Sequence, residues 1–494
     1  MTTDLMLLCL LLVAMGGAGL ANLYATLNGP EAFVLVLTVG VLLAYTLGFL
    51  WERYSKTARD RRKRLDRIRE LPLKLITRSG DSVLMGQDLE LRIPVYLSDD
   101  IRVRHVHILG ATGSGKTESV ILNFLKQDVN RGFGAIILDA KGDASFLRAL
   151  RQIVPAERLR IFDLGSEKSL TYNPIEAGSP QEAAQRLFAS LTWSEEYYKS
   201  KAFSALQRLF QNHFEATKRN PTLVELFHYL ENPETFIAFT SSENYPHKLA
   251  ERDFMELSGL RDQIEALRSG FLSQILSPKE SAMRLEDAYK GQVLYFRLQS
   301  LLSAQLVTTL GRLLIQHLNY LAGCAHREET DLKRTMIPTY LDEFASFACP
   351  EFGDLISKAR SAGLALHFSH QSIGDLADIS EGFINRITDS SATKIIMRIN
   401  DPDSAEFFAR SFGTRLYQKT THRITNAKEI DRAEVLEEGT QREARQFRTA
   451  PDIFKGLPTG TGAVLLGHGQ DTPHGASSVF RIQFPKLETE ETKT

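Results

Sequence analysis

The segment His105–Ser119 constrains the fold more than any other stretch of the chain. Its sequence, HVHILGATGSGKTES, fills the G-x-x-x-x-G-K-[ST] phosphate-loop pattern with Gly110, Gly115, Lys116 and Thr117. The apolar run before the loop predicts a strand, and the apolar run after it predicts a helix. Glycines let successive backbone N–H groups curl toward phosphate oxygens, and the helix start adds partial positive charge there. We therefore expect an α/β fold with a phosphate-binding loop at its centre.

The expected cofactors at this loop are ATP and Mg²⁺. Lys116 is expected to reach the β- and γ-phosphates, and the Thr117 hydroxyl is expected to bind Mg²⁺. The other loop residues offer backbone N–H groups to the same phosphates. The predicted cofactor-binding residues of the loop are Gly110, Ala111, Thr112, Gly113, Ser114, Gly115, Lys116 and Thr117.

Hydrolysis at such a loop needs carboxylates for Mg²⁺ and for the attacking water. Two candidates each close an apolar run: Asp342 with Glu343, and Asp139. The first ranks higher, because Asp342 can hold Mg²⁺ through water while Glu343 orients and deprotonates the nucleophile. Asp139 has no adjacent acid and ranks second. The alternative for an Asp-Glu pair after a strand is to cap the next helix.

Two further residues are candidates for the catalytic machinery. Gln371 closes the next predicted strand, 364–371, and could sense the γ-phosphate; the alternative is a surface glutamine at a strand end. Arg360 is a candidate arginine finger that would reach a neighbour's nucleotide in a ring. Spacing alone does not single it out among the arginines.

The N-terminal region reads as a membrane hairpin. Residues 5–27 and 33–51 are apolar, and each approaches the ~20 residues that span a bilayer. A cleaved signal peptide is the alternative for the first stretch, but no basic residue precedes it and a second stretch follows at once. Nine lysines and arginines crowd positions 53–69. The positive-inside rule therefore predicts that both termini are cytoplasmic.

Past the membrane segment, strand-like and helix-like regions alternate. Apolar runs predict strands near 83–87, 91–96, 106–109, 134–139, 158–163, 292–297, 339–343, 364–371 and 393–399. The stretch 462–467 is expected to be the last strand of the sheet or an edge strand. Between 175 and 280 the apolar residues take helical spacing, which predicts an all-helical insertion. Formal net charge is −1, so bulk charge says nothing about a nucleic-acid partner, and the three cysteines show no paired spacing.

Taken together, these motifs resemble the coupling proteins of conjugative type IV secretion systems, of the TraD/TraG/TrwB type. This family lies within the FtsK/HerA group of ring ATPases. The motifs that carry the resemblance are the N-terminal hairpin, the phosphate loop, Asp139-Ala-Lys-Gly-Asp143, Tyr172-Asn-Pro-Ile175, Leu341-Asp-Glu-Phe344, and Arg360 ahead of His370-Gln-Ser372. One departure is Ala140, where many relatives carry proline.

The resemblance implies a homohexameric ring at the bacterial inner membrane that delivers single-stranded DNA, with its attached relaxase, to the secretion channel proteins. It also implies that Arg360 acts in trans, that Gln371 is a sensor, and that Arg104 lies near the nucleotide. Two alternatives stay open: a coupling receptor or ATPase for protein-only cargo, and a nucleotide-dependent docking receptor without motor activity.

The implied fold is a RecA-like P-loop domain with an inserted all-α domain and an N-terminal two-helix transmembrane hairpin. The predicted boundaries are 1–53 for the hairpin, 54–80 for a basic juxtamembrane segment, 81–174 and 281–485 for the two parts of the RecA-like domain, 175–280 for the all-α domain, and 486–494 for a polar tail.

Overall fold

The structure is a computed structural model. It describes residues 71–486 except 72, 242–244, 246–248, 301–302, 328–334, 378, 426–433 and 468–477, together with scattered positions between 45 and 68. The chain divides into two compact units, Met1–Leu71 and Pro72–Thr494. In the first unit, the described positions between 45 and 68 are helical. Within the described part of the chain, no helix has the length and apolarity to cross a membrane. The predicted spans at 5–27 and 33–51 fall outside the described residues, except for positions 45, 46 and 49.

The second unit is built on an 11-stranded sheet with the order β2-β1-β13-β12-β9-β3-β8-β7-β4-β6-β5, and a separate hairpin, β10-β11. The strands are β1 (Ser82–Asp88), β2 (Pro94–Ser98), β3 (Val106–Leu109), β4 (Ala135–Asp139), β5 (Leu159–Asp163), β6 (Val293–Arg297), β7 (Ile337–Asp342), β8 (Leu364–His370), β9 (Thr393–Ile396), β10 (Thr414–Thr425), β11 (Glu434–Phe447), β12 (Thr461–Leu466) and β13 (Ser478–Gln483).

The helices of this unit cover and connect the strands. They are α1 (Leu73–Ile76), α2 (Asp99–Arg102), α3 (Leu122–Asn130), α4 (Ala144–Ile153), α5 (Pro180–Ser190), α6 (Glu196–Thr217), α7 (Leu223–Tyr229), α8 (Pro233–Thr240), α9 (Glu251–Met255), α10 (Ser258–Arg268), α11 (Leu272–Leu276), α12 (Ala304–His326), α13 (Phe352–Lys358), α14 (Glu381–Ser390), α15 (Pro402–Phe412) and α16 (Pro451–Lys455).

The strands from β9 to β5 in the sheet order run parallel, whereas β12, β13, β1 and β2 extend the sheet antiparallel. Every residue of β3, β4, β7, β8 and β9 is buried. Parallel strands are covered on both faces, and this is why they appear in the sequence as continuous apolar runs. The carboxyl ends of parallel strands meet at one edge, which gathers the residues that follow them.

The predicted strands at 106–109, 134–139, 158–163, 292–297, 339–343, 364–371 and 393–399 are confirmed as β3 to β9. The prediction that 462–467 is the last strand or an edge strand is wrong, because β12 lies between β9 and β13. The β10-β11 hairpin and β13 were not predicted. These three strands form by antiparallel pairing with another strand, and the apolar pattern of one segment is only a weak guide to that pairing.

Seven of the helices, α5 to α11, lie between β5 and β6, inside the stretch where helical spacing was predicted. They do not form a separate core. Phe210 and Leu260 from these helices belong to the same buried apolar cluster as Leu294 of β6, Leu314 of α12 and Leu341 of β7. The helical segment and the sheet therefore share one hydrophobic core.

A buried ion pair anchors the helix that follows the phosphate loop. Arg102 is fully buried and donates to both oxygens of Asp128, at 2.8 and 2.7 Å. Tyr340 donates to the same carboxylate, and the Arg102 guanidinium also contacts His367 at 3.3 Å. Burial by itself would raise the pKa of Asp128, but the Arg102 charge and the hydrogen bonds from Arg102 and Tyr340 together outweigh burial and hold that pKa below its usual value. This network joins α2 and α3 to β7 and β8.

Candidate nucleotide-binding site

The phosphate loop connects β3 to a π-helical turn, Lys116–Ile121, that continues into α3. Gly113 and Gly115 have positive φ angles of 73° and 98°, which glycine adopts without steric cost. A Cβ on Gly110 would lie 2.6 Å from the Ser114 hydroxyl, so the loop also needs glycine there for space. The Lys116 ammonium is buried and donates to the Gly110 carbonyl at 2.5 Å. The Lys116 side chain therefore folds back onto the first residue of its own loop.

The Mg²⁺ ligands predicted from the sequence meet in space. The Thr117 hydroxyl donates to one oxygen of Asp342 at 2.8 Å, and the Ser369 hydroxyl donates to the other at 2.5 Å. Glu343 follows directly, with a carboxylate oxygen 4.0 Å from the Lys116 ammonium. Asp342 is buried, whereas the Glu343 side chain keeps 26% of its surface exposed. The Asp342 carboxylate is thus fixed beside the start of the helix, and the Glu343 carboxylate faces the open cleft.

Glu343 occupies the left-handed region of the backbone map, with φ 51° and ψ 47°. This conformation costs roughly 1–2 kcal/mol for a residue with a side chain. Strained residues of this kind cluster at functional sites, where the surrounding structure holds them in place. The local strain aims the carboxylate away from the strand and toward the phosphate loop.

Gln371 links the phosphate loop to Glu343. Its amide oxygen accepts a hydrogen bond from the Thr112 hydroxyl at 3.0 Å, and its amide nitrogen donates to Glu343 at 3.2 Å. The parallel pairing of β3 with β8 aligns Leu109 with His370, so the residue after each strand lies at the same edge. The structure therefore brings Gln371, Glu343 and the loop together.

Asp139, the second-ranked carboxylate, lies beside the first. It aligns with Asp342 across the paired strands β4 and β7. The Tyr295 hydroxyl donates to it at 2.7 Å and the Gly142 N–H at 2.8 Å. Burial raises the pKa of Asp139 to about 6; the hydrogen bond from Tyr295 opposes this rise and the nearby Asp342 charge adds to it.

A cleft of about 720 Å³ opens beside the loop. It is lined by residues of the loop and the helix that follows it, of the carboxylate strands and the turn after β4, of α4, and by two residues near the C-terminal end. These are Ala111, Thr112, Gly113, Gly115, Lys116, Thr117, Glu118, Leu122, Asp139, Lys141, Asp143, Ser145, Phe146, Arg148, Ala149, Gln152, Asp342, Glu343, Thr459 and Lys486. The volume falls within the range of small-molecule sites.

Sequence reasoning missed several members of this site. Ser369 and Tyr295 hold the carboxylates, and each lies on a strand predicted from its apolar run, so nothing local marks its role. Thr459 donates to the Gly113 carbonyl at 3.2 Å from more than 340 positions away in the chain. Lys141 lies inside the Asp139–Asp143 motif, but the motif alone assigns its lysine no role. Only that last residue had a signal in the sequence.

The two predicted arginines lie elsewhere. Arg104 lies two residues before β3, and Arg360 lies in the turn before β8, where its side chain is exposed. Both strands run from that edge of the sheet toward the phosphate loop at the opposite edge. Neither arginine lines the cleft. If these arginines act on a nucleotide, that nucleotide would therefore have to be bound to a neighbouring subunit. Both roles stay predictions.

A parallel sheet with a phosphate loop after its central strand β3, and acidic residues at the carboxyl ends of β7 and β4, defines a RecA-like P-loop protein of the mixed α/β class. Two family models match the chain: the central domain of helicase HerA at residues 80–314, and the TraM recognition site of TraD and TraG at residues 337–455. The two matches together take in the phosphate loop, Asp342, Glu343 and Gln371.

The chain is also similar to individual proteins of type IV secretion systems. The type 4 coupling protein DotL of Legionella pneumophila is 24% identical and aligns with 68% of this chain. The chain spans about half the length of this curated relative, 52%. The structure of the bacterial conjugative coupling protein TrwBΔN70 has a TM-score of 0.61 and 16% identity, and the match covers 84% of this chain and 90% of that one. VirB4 of Thermoanaerobacter pseudethanolicus has a TM-score of 0.54 and 15% identity, over 84% of this chain and 99% of that one.

The structural matches confirm a mixed α/β fold of the TrwB kind. Together with the two family models and DotL, they confirm that the chain resembles type IV coupling proteins of the TraD/TraG/TrwB type.

Proposed function

We propose that the chain is an ATP-driven motor that couples relaxase-bound single-stranded DNA to a type IV secretion channel. The observation that carries this proposal is the meeting of Lys116, Thr117, Asp342 and Glu343 at one edge of the sheet. In this arrangement one lysine, one hydroxyl and two carboxylates are gathered where a triphosphate and a divalent cation bind in P-loop enzymes.

The residues of the cleft fit ATP and Mg²⁺. Glycines at positions 110, 113 and 115 leave room for phosphate oxygens to approach the backbone, and the π-helical turn that leads into α3 directs its amino-terminal end at the loop. Mg²⁺ is usually held by one or two protein oxygens together with phosphate and water. Thr117 and Asp342 supply such a pair. When bound, Mg²⁺ would neutralise charge on the phosphates during their transfer.

Hydrolysis would depend on residues already in place around this pair. Glu343 faces the cleft and would accept a proton from the attacking water. Gln371, which contacts both Thr112 and Glu343, would respond to the γ-phosphate. Asp139 remains an alternative carboxylate, because it lies in register with Asp342 at the same edge.

Similar proteins support the nucleotide and the partners. TrwB has been observed with ADP and Mg²⁺ and with non-hydrolysable analogues of ATP and GTP. The TraM recognition model supports a relaxosome partner, and the HerA helicase model supports a DNA substrate. We further propose a homohexamer anchored in the inner membrane by residues 5–27 and 33–51, with both termini in the cytoplasm.

The decisive experiment measures ATP hydrolysis by the purified full-length chain, with and without single-stranded DNA. Lys116→Ala should abolish nucleotide binding. Glu343→Gln should leave binding intact but lower kcat by roughly 10²- to 10⁴-fold, the usual contribution of a general base. Glu265→Gln, at an exposed position of α10, is the matched control and should behave like wild type. Wild-type protein that binds no ATP would refute the proposal.

Cargo and motor action need separate tests. DNA binding driven by phosphate contacts should weaken steeply between two salt concentrations. Binding that is absent, or insensitive to salt, would favour protein-only cargo. If Lys116→Ala blocks substrate transfer in cells while Glu343→Gln does not, nucleotide is needed only for docking, and the receptor alternative holds.

A further inference from the structure

Two histidines form a buried pair directly behind the phosphate loop. His107 on β3 and His370 at the end of β8 have their Nε2 atoms 2.6 Å apart. The two rings stack with centroids 4.9 Å apart, and the Phe368 ring stacks on His107 with centroids 4.6 Å apart. The Nδ1 atom of His370 lies 2.7 Å from the Ser372 carbonyl oxygen. Three groups are thus connected in a line from the sheet interior to the loop after β8.

The direction of these hydrogen bonds follows from chemistry. The Ser372 carbonyl can only accept, so His370 carries its proton on Nδ1. A neutral His370 then accepts at Nε2, and His107 must donate from its own Nε2. Burial lowers the pKa of His370 to about 4 and also lowers the pKa of His107, so both rings are neutral near pH 7. The Nδ1 atom of His107 is then an acceptor, and within the described part of the chain it has no hydrogen-bond partner.

His370 also connects the phosphate loop to Gln371. Its backbone carbonyl accepts a hydrogen bond from the Gly110 N–H at 3.2 Å. The side chain of the next residue, Gln371, accepts a hydrogen bond from the Thr112 hydroxyl at 3.0 Å and donates one to the Glu343 carboxylate at 3.2 Å. The ring of His370 therefore holds one end of the segment from which the Gln371 side chain reaches the cleft.

The rest of that segment is held from the other side. The Asp375 carboxylate accepts hydrogen bonds from the backbone N–H groups of Gln371 and Ser372, at 3.1 and 2.9 Å. The N–H groups are thus satisfied by Asp375, while the Ser372 carbonyl is satisfied by His370. Loss of the imidazole would leave that carbonyl without its 2.7 Å partner and free the turn to shift.

We propose that His107 and His370 are positioning residues that hold Gln371 between the phosphate loop and Glu343. Neither ring contacts the cleft itself, so each acts through the glutamine. This inference rests on the proposed ATP hydrolysis. It predicts a specific dependence on Gln371 that simple core packing would not produce.

The test is a double-mutant cycle on ATP hydrolysis by the full-length protein. His370→Leu and His107→Leu should each lower kcat roughly 10- to 100-fold, since a misplacement of about 1 Å at a catalytic group can cost about 100-fold. Nucleotide Kd should stay within about twofold. In a Gln371→Ala background, the same histidine changes should lower kcat less than about twofold further. An equal loss in both backgrounds would overturn the proposal.

A conservative variant and an activity-independent measurement complete the test. His370→Asn keeps an N–H donor near the Nδ1 position, so it should retain more activity than His370→Leu. Amide hydrogen exchange should show faster exchange in residues 371–375 of His370→Leu, with the helices α5 to α11 unchanged. Unchanged exchange at 371–375, or faster exchange throughout the chain, would overturn the positioning role. If wild-type protein hydrolyses no ATP, the proposed function fails and the exchange result alone decides this inference.

Discussion

The Thr117 hydroxyl donates a 2.8 Å hydrogen bond to the Asp342 carboxylate, joining the start of the phosphate-loop helix to the end of β7. The other oxygen of Asp342 is held by Ser369 on the adjacent strand. Supporting hydrogen bonds of this kind fix the orientation of a metal ligand and are often as important as the ligand itself. The proposed Mg²⁺ site is therefore oriented by the sheet as well as by the loop.

This contact predicts the effect of removing the hydroxyl while keeping the shape. Thr117→Val should raise the Mg²⁺ concentration needed for half-maximal ATP hydrolysis by at least about tenfold, the lower end of the loss expected when a supported ligand contact is removed. Thr117→Ser retains the hydroxyl and should stay close to wild type. A Mg²⁺ titration of ATPase activity measures both. Equal Mg²⁺ dependence in the valine and serine variants would contradict the assignment.

Arg360 predicts complementation between subunits, because it lies at the edge of the sheet opposite its own phosphate loop. Arg360→Ala and Glu343→Gln should each be nearly inactive alone. Co-expressed in equal amounts with different tags, they should form rings in which about a quarter of the interfaces combine an intact cleft with an intact arginine. ATPase activity of doubly purified rings measures this. If mixed rings are as inactive as the single variants, Arg360 does not act in trans.

The pKa of Asp139 predicts a pH-dependent stability difference. Its pKa is about 6 in the folded chain against an ordinary value of 3.8, so the folded state binds the proton more tightly. Relative to Asp139→Asn, wild-type stability should be highest below about pH 4, should fall as pH rises from about 4 to about 6, and should level off above about pH 6. The full difference is about 3 kcal/mol as an upper bound. Urea unfolding of both proteins at pH 4, 6 and 8 measures it, and a constant difference across that range would contradict the prediction.

The buried pair of Arg102 and Asp128 predicts a large loss of stability when one partner is removed. Asp128→Ala leaves the guanidinium buried and poorly compensated, and should lower the free energy of unfolding by about 3–5 kcal/mol. Lys199→Ala removes one partner of an exposed ion pair with Glu196 and should change the free energy of unfolding by less than about 1 kcal/mol. Urea unfolding at pH 7 compares the two. Similar effects from both changes would show that the buried network contributes little.

The phosphate loop, the Asp342–Glu343 pair and Gln371 could be predicted because each follows a continuous apolar run. Such runs mark strands covered on both faces, and parallel strands deliver their carboxyl ends to one edge. Knowing the strands was therefore enough to place these residues near one another. The β10-β11 hairpin and β13 could not be placed in this way, because antiparallel pairing depends on the partner strand rather than on a continuous apolar run.

The sequence by itself determined the loop, the acidic strand ends and the helical segment, since these depend on local spacing and on short-range backbone preference. Only the tertiary structure decided which side chains support them. Tyr295 reaches Asp139, Ser369 reaches Asp342, and His107 reaches His370 across neighbouring strands. Such contacts depend on strand order and register, and these are set by packing of the whole sheet rather than by any segment alone.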